Sequence, residues 1–416
     1  MGRMETVALL TVGCKLNQYE TQLLSENLQS KGYQIRPWGE GADIVVVNTC
    51  SVTSRAEATA RNFIQRSTRF VEKPYLVVTG CYARRRRDEL TQIDGVNFVG
   101  DSDEVLNALT DGSSRVDSIS SFDGHTRAFV KIQDGCDNFC AFCILPYLRG
   151  SPRSRPSYKI LTEISTLCGR GYAEVVLTGI NIGNYRDKGL DLIALLRQLE
   201  EVDLLKRVRV SSIEPTYVDQ RFFEYLSHSR KFCAHLHIPL QSGDRATLKR
   251  MGRRYSPETY ASLLTRLREI SPEIAVGADV IVGFPGENEE RFENTASLIR
   301  ELPISYLHVF RYSPREGTAA SRFRDTVPED LKKRRCARLI SLGAQKWFDY
   351  RKSFIGHEVE VLIEHRREVR SNKLMGLSAN YIRVLLDGED DLMGKFVTLK
   401  LKKVVGRYCH GEIVDR

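Results

Sequence analysis

From the start of the chain to about residue 110, short apolar runs alternate with amphipathic stretches. The runs are 7–12, 44–48 and 76–79, and the stretches between them include 20–32 and 55–70. Apolar strands separated by helices predict βαβ units around a buried parallel sheet. Residues 110–123 are rich in Ser, Asp and Gly and read as a linker. A longer series then begins, with strand patterns at 128–133, 174–178, 207–212, 235–240, 277–282 and 306–312. Helical patterns intervene at 158–169, 190–201, 218–228, 257–270 and 289–301. Six β/α repeats are too few for a closed eight-stranded barrel, so a partial barrel is expected. Residues 328–350 read as a basic helix. From residue 357 onward, strict alternation punctuated by Gly and Asp predicts a small antiparallel barrel or sandwich. The expected fold class is therefore α/β. It comprises a parallel-sheet α/β domain over 1–115, a central (β/α)6 partial barrel over 122–352 and a small antiparallel β-barrel over 353–416.

With 416 residues the chain has room for two to four domains. A hydrophobic content of 42% and a charged content of 28% are ordinary, but a net charge of +9 favours a polyanionic partner. The charge is concentrated. Residues 54–87 carry nine Lys/Arg against two Glu, including the run Arg84-Arg85-Arg86-Arg87. Residues 145–159 carry Arg149, Arg153, Arg155 and Lys159 with no acid, and residues 321–352 carry ten basic against four acidic residues. Three separate basic surfaces suit a folded RNA. The ten cysteines are spread too widely for a disulfide framework. The opening Met1-Gly2-Arg3-Met4-Glu5 leads straight into a strand-like run, unlike a signal peptide. No apolar segment approaches the ~18 residues of a membrane span. A reducing cytoplasmic location is expected.

Cys136-Asp-Asn-Phe-Cys140-Ala-Phe-Cys143 places three thiols within eight residues. Soft thiolates select iron–sulfur clusters, zinc or Cu(I). Structural zinc wants four ligands, and no fourth Cys or His stands close by. Three thiolates can hold three corners of a 4Fe-4S cubane and leave one iron open to a small molecule. A second trio, Cys14, Cys50 and Cys81, stands just past three successive apolar runs, about one βαβ unit apart. In a parallel sheet all three emerge at the carboxyl edge, where open α/β sheets place their ligands. Three buried structural cysteines are the plainer reading. Convergence at one edge favours a second cluster.

Together these residues resemble the methylthiotransferases, a radical S-adenosylmethionine (SAM) family, over essentially the whole chain. The N-terminal trio resembles that family's auxiliary-cluster domain. Cys136, Cys140 and Cys143 resemble its radical SAM centre, and the tail resembles its RNA-binding TRAM domain. Within the family, Gly13-Cys14-Lys15-Leu16-Asn17-Gln18-Tyr19-Glu20 resembles the branch acting on N6-threonylcarbamoyladenosine at position 37 of tRNA. Asn48-Thr49-Cys50-Ser51-Val52-Thr53 and Gly80-Cys81-Tyr82-Ala83 agree with it, whereas Asn17 is shared by all branches. The isopentenyladenosine branch typically has Gln and Met after the first Cys. The branch acting on an aspartate of a ribosomal protein has Pro-Lys-Asn there.

The resemblance implies a transferase with two 4Fe-4S clusters and SAM. Its implied partners are the tRNA anticodon loop, an electron donor and a sulfur donor whose identities stay open, and no membrane. It implies that one SAM methylates sulfur on the auxiliary cluster. A second SAM, cleaved reductively, yields a 5′-deoxyadenosyl radical that removes hydrogen from C2 of the adenine. The alternatives are the other two branches and, from a different class, a non-catalytic iron–sulfur RNA-binding protein.

Several strand ends are expected to line the SAM pocket: Thr178, Gly179 and Asn181; Ser212 and Glu214; Gln241; and Ile281 and Gly283. Phe142, inside the cysteine loop, resembles the aromatic that packs on adenine. Glu214 could instead cap a helix, and Phe142 could simply pack the loop. Arg149, Arg153 and Arg155 are placed to meet phosphate or a threonyl carboxylate, with Arg84 and Arg85 on an RNA-facing surface. The plainer reading of all five is a solvated turn or helix face. His235 and His237 alternate with apolar neighbours, so one of them reads as a hydrogen-bonded core residue and neither as a metal ligand, and Asp279 reads equally as a buried structural carboxylate. Cys168, Cys233, Cys336 and Cys409 read as structural.

Overall fold

The computed structural model describes residues 5–110 and 115–414. The opening residues 1–4 and part of the expected linker therefore lie outside the described residues.

The first unit runs β1 (Thr6–Thr11), α1 (Lys15–Ser30), β2 (Gln34–Arg36), β3 (Ile44–Thr49), α2 (Ser54–Ser67), β4 (Tyr75–Gly80), α3 (Cys81–Arg85), α4 (Arg87–Thr91), β5 (Phe98–Val99) and α5 (Ser102–Leu109). Its five parallel strands lie in the order β2-β1-β3-β4-β5. β3 is buried along its whole length, as a strand covered by helices on both faces must be. The two edge strands, three and two residues long, fall below the length at which alternation can be read.

The described part of the expected linker does not behave as one. Ile119 and Phe122 are buried in the large central core. The Glu26 carboxylate on α1 accepts the backbone N–H groups of Ser120 and Ser121. The segment is a strap that ties α1 to that core.

The central unit contains β6 (Ala128–Lys131), β7 (Gln133–Asp134), α6 (Leu145–Arg149), β8 (Arg153–Ser154), α7 (Ser157–Gly169), β9 (Glu174–Thr178), β10 (Arg186–Asp187), β11 (Leu190–Asp191), α8 (Leu192–Glu200), β12 (Arg207–Val210), α9 (Gln220–His228), β13 (His235–His237), α10 (Arg245–Arg250), α11 (Pro257–Ile270), β14 (Ala275–Val282), α12 (Glu289–Glu301), β15 (Tyr306–Arg311) and α13 (Glu329–Lys352). Six strands form two three-stranded parallel sheets, β6-β9-β12 and β13-β14-β15. They meet where the Ile213 N–H donates to His237 O (2.9 Å). This is a partial barrel. Residues 236, 276, 278, 280, 307 and 309 pack outward into the helix-covered core, so the alternate positions line its concave side. The fourth strand stops at His237 rather than residue 240, because Pro239 has no N–H to give the ladder, and pairing with β14 recurs only at Gln241.

The last unit is a closed barrel, β16 (Glu358–Arg367), β17 (Leu374–Ser378), β18 (Arg383–Leu386), β20 (Tyr408–Ile413) and β19 (Phe396–Val405), in that spatial order. The expected purely antiparallel barrel is corrected at one seam: β18 and β20 pair in parallel. Alternation is the same for either direction, so the sequence pattern cannot reveal this.

The small barrel docks on the strand-start end of the partial barrel through buried charge. Arg209 donates to Glu174 (3.0 Å) and to the carbonyls of Ser378 and Ala379. Arg207 reaches Glu360 O (2.7 Å). His235 sits in the same contact, stacked on Tyr381 at 4.1 Å and bonded to the Tyr306 hydroxyl (2.8 Å). Burial, then Arg209, hold its imidazole well below the usual histidine range. The unfolded chain therefore binds a proton that the fold rejects, and stability falls as pH drops below about 6.5. By pH 5 the loss reaches about 2 kcal/mol. Thermal unfolding of wild type and His235→Gln between pH 7.5 and 5 measures it. Wild type should lose the extra stability and the variant should not; parallel curves would contradict the assignment.

Candidate active site

Cys14, Cys50 and Cys81 follow β1, β3 and β4 at one sheet edge, close enough to act on one another electrostatically. Two buried asparagines shape this edge. Asn17 Oδ1 accepts from the Cys14 backbone N–H (3.3 Å) and thiol (3.2 Å). Its amide donates to Asn48 Oδ1 (2.9 Å), and Asn48 donates back to Asn17 O (3.0 Å). The start of α1 is thereby fixed against the end of β3. Burial pushes the Cys50 thiol up to about 11, so this sulfur stays protonated until a cation compensates its charge.

The second trio occupies the loop after β7. The Ala141 N–H donates to Met251 O (2.8 Å) and Ala141 O accepts from the Ala320 N–H (2.7 Å), which pins the loop between the strand ends. Burial, reinforced by Cys140 and Cys136, pushes the Cys143 thiol up to about 12. Each trio is a set of three soft donors with no fourth thiol among its described contacts. That donor set fits a cluster with an open iron.

Two arginines missed by sequence reasoning as sulfur partners complete these sets. Arg253 donates to Cys140 Sγ (3.2 Å) and is clamped by both oxygens of Glu214. Arg149 donates through Nε and Nη2 to Cys81 Sγ (3.3 and 3.2 Å) and grips both oxygens of Glu20 (2.5 and 3.1 Å). Lys131 closes the network onto Asp134 (2.7 Å) and Glu20 (3.5 Å). Arg149 ends α6, which begins two residues after Cys143, so one short helix links the two trios.

The arginine expectations need correcting. Arg149 is 3% exposed and serves sulfur and carboxylate, not RNA. Arg155 pairs with the buried Glu163 (2.5 Å) and lies over Tyr19. Arg85 pairs with Glu57 (2.5 Å), which also holds Arg315 from the central unit (2.9 Å). Arg84 and Arg153 stay open to solvent and line a cavity of about 350 Å³ between α1 and the β6–β8 region, with Glu20, Lys131, Asp134 and Arg155.

The expected SAM residues gather at the C-terminal ends of the barrel strands. Buried polar atoms without a protein partner stand at four of these ends: Asn181 Oδ1 after β9, Ser211 Oγ after β12, Gln241 Oε1 after β13 and the Tyr312 hydroxyl after β15. Each costs about 1–3 kcal/mol unless a polar ligand meets it. SAM, rich in donors and acceptors, fits such a row. Ser212 is exposed at the end of β12, beside the buried, unpartnered hydroxyl of Ser211. Thr178 is buried at the end of β9. Glu214 faces Arg253 rather than capping a helix. Phe142 and Ile281 pack in one apolar cluster with Phe284. At Gly179 and Gly283 the lack of a side chain serves packing: a Cβ would stand 2.7 Å from Gln133 O at the first and 2.3 Å from Lys332 Cγ at the second.

Comparison with known proteins agrees with this layout. The model of the radical SAM superfamily matches residues 130–299, that of uncharacterized protein family UPF0004 matches 6–100, and that of the TRAM domain matches 352–414. A threonylcarbamoyladenosine tRNA methylthiotransferase MtaB of Bacillus subtilis (strain 168) is 38% identical over 99% of this chain and 97% of its own length. A tRNA-2-methylthio-N(6)-dimethylallyladenosine synthase of Carboxydothermus hydrogenoformans is 34% identical over 97% and 98%. Among solved structures, the radical SAM methyltransferase TsrM of Kitasatospora setae, with cobalamin and a [4Fe-4S] cluster bound, shares the fold with a TM-score of 0.56. Its identity is 14%, and the match covers 77% of each chain. No helix among the described residues is long and apolar enough to cross a membrane.

Proposed function

The chain belongs to the radical SAM methylthiotransferase family, and from that premise we propose that it inserts a methylthio group at C2 of N6-threonylcarbamoyladenosine at position 37 of tRNA. The observation that carries this reading is the 38% identical, full-length similarity to a protein named for threonylcarbamoyladenosine. Two thiol trios joined by one short helix support it.

When bound, two 4Fe-4S clusters and SAM supply the sulfur and the radical that an aromatic C–H, without acidic proton or leaving group, requires. Cys14, Cys50 and Cys81 would hold one cluster, and Cys136, Cys140 and Cys143 the other. The chain's own residues position the rest. Asn17 and Arg149 orient Cys14 and Cys81, and Arg253 orients Cys140. Asn181, Ser211 and Gln241 offer hydrogen bonds to SAM. Around the rim, the exposed rings of Phe139 and Tyr147 stand beside the cysteine loop, with Arg84 and Arg153 nearby. Stacking rings next to cations suit the bases and phosphates of a single-stranded loop. Lys400, Lys402 and Lys403 on the terminal barrel are exposed and offer RNA a separate basic patch. An electron donor and a sulfur donor complete the reaction, in the cytoplasm.

The test is mass spectrometry of nucleosides from tRNA incubated with reconstituted protein, SAM, reductant and sulfide. tRNA bearing threonylcarbamoyladenosine should gain a methylthio group. A product found only on isopentenyladenosine would overturn the substrate, and tRNA binding without 5′-deoxyadenosine would overturn the catalysis.

A further inference from the structure

His237, Asp279 and His308 form a polar cluster that the cysteine chemistry leaves unused. Their ligating atoms all lie within 4.8 Å of one another. They stand on three adjacent strands, β13, β14 and β15, on the concave side of the partial barrel. The alternate residues of these strands pack outward into the helical core. His237 Nε2 and His308 Nδ1 both approach Asp279 Oδ1, at 2.9 and 3.3 Å. His237 is fully engaged, since its Nδ1 meets the Tyr306 hydroxyl at 3.3 Å. Burial pushes the Asp279 carboxyl up, but the two imidazoles outweigh it and keep it ionised.

Accessibility rises in one direction across this cluster. The side chains of His237, Asp279 and His308 are 8%, 23% and 56% exposed. The face turned to the barrel interior is thus one edge of a carboxylate and the free Nε2 side of an imidazole. One step further along the same strand face, Phe310 stands opposite Ile281 in register and is 40% exposed. Ile281 and Phe142 of the cysteine loop pack against the same buried apolar cluster. The concave wall therefore runs from the cysteine loop through a half-exposed aromatic ring to a polar pair, over two register positions or about 7 Å.

A metal ion fits these three residues less well than an organic ligand does. Both imidazoles already spend one nitrogen on the same carboxylate oxygen, and His237 has no nitrogen left. An aromatic face followed by a carboxylate and an imidazole matches a purine that carries a polar substituent.

We propose that Phe310, Asp279 and His308 form the subsite for the modified adenosine. Phe310 stacks on the base, and His308 with Asp279 receives the polar threonylcarbamoyl group. This deepens the reading given under Proposed function and rests on it. The threonyl carboxylate takes a hydrogen bond from Nε2–H of the His308 imidazolium, whose Nδ1–H is held by Asp279, and Asp279 also accepts from a hydroxyl or ureido N–H. An isopentenyl group would leave both unpaired, which is how a polar site rejects an apolar analogue.

The experiment measures binding without turnover. Reconstituted protein with SAM but no reductant is titrated with labelled anticodon stem-loops. These are identical except for adenosine, threonylcarbamoyladenosine or isopentenyladenosine at position 37. Wild type should prefer the threonylcarbamoyl loop over the plain one on the order of tenfold, one charge-assisted hydrogen bond's worth. His308→Ala and Asp279→Asn should each erase most of that preference while leaving the plain loop's affinity unchanged. Phe310→Leu should weaken all three loops together. His308 is exposed, so its variant keeps the test valid should Asp279→Asn fold poorly. If wild type shows the preference and His308→Ala retains it in full, the subsite is wrong and the substrate reading stands. If wild type prefers the isopentenyl loop, the substrate reading fails and the subsite with it.

Discussion

Replacing Cys14, Cys50 and Cys81 together by alanine is expected to halve the iron bound on reconstitution, from about eight atoms per chain to about four. The variant should still cleave SAM reductively to 5′-deoxyadenosine but make no methylthiolated tRNA. The converse variant, with Cys136, Cys140 and Cys143 replaced, should also keep about four irons yet produce no 5′-deoxyadenosine. The asymmetry follows from where the sulfurs lie. One trio ends three strands of the N-terminal sheet, and the other sits in the loop facing the row of unpartnered polar atoms at the barrel strand ends. Iron assay and chromatography of the SAM products read both outcomes. An N-terminal triple variant that still bound about eight irons would remove the second cluster from the account.

The second large effect concerns Glu20. Its carboxylate is the main counter-charge of Arg149, a guanidinium 3% exposed between the two units. Removing one partner of a buried pair costs about 3 kcal/mol or more, and here it leaves Arg149 only the longer contact to Asp134 (3.4 Å), which Lys131 already shares. Glu20→Ala should therefore lower the urea midpoint by that equivalent, and the iron held by the N-terminal trio should fall with it. Arg149→Met combined with Glu20→Leu should recover most of the stability, because an apolar pair of similar volume replaces both charges. It should not recover activity, since Cys81 loses its two N–H partners. Glu20→Ala indistinguishable from wild type in denaturant would show that the network bears no weight between the units. Glu20 and Asp134 are both held below the usual carboxylate range: burial raises each, and Arg149 and Lys131 overcome it. Their stabilisation is complete above the unfolded carboxylate range and fades as pH falls through the lower native values.

The six cysteines were legible in the sequence because their signal is local. Spacing defines one trio, and position after an apolar run defines the other. Most of the strands were legible for the same reason, since period and burial reinforce each other along 44–49 or 275–282. The arginines were not. Arg149 and Glu20 lie 129 residues apart, and no periodicity announces a partner at that range. The basic segment 145–159 therefore suggested an RNA surface, whereas Arg149 and Arg155 turn inward to Glu20 and Glu163.

The segment Cys14–Glu20 shows the same limit from the other side. It was legible as a family signature, but its physical work shows only in three dimensions. Cys14 supplies a sulfur, Asn17 ties the helix start to β3, and Tyr19 and Glu20 reach Glu163 and Arg149 in the central unit. At the end of β12 the buried hydroxyl without a protein partner is that of Ser211, next to the Ser212 expected from the sequence.

Whether both thiol trios serve one nucleobase is read from an anticodon stem-loop carrying deuterium at C2 of its threonylcarbamoyladenosine 37. In one turnover with reconstituted protein, SAM, reductant and sulfide, the account predicts that deuterium lost from that carbon appears in 5′-deoxyadenosine, in step with the methylthio group gained by the same RNA. Methylthiolated RNA formed while 5′-deoxyadenosine stays free of deuterium would contradict it.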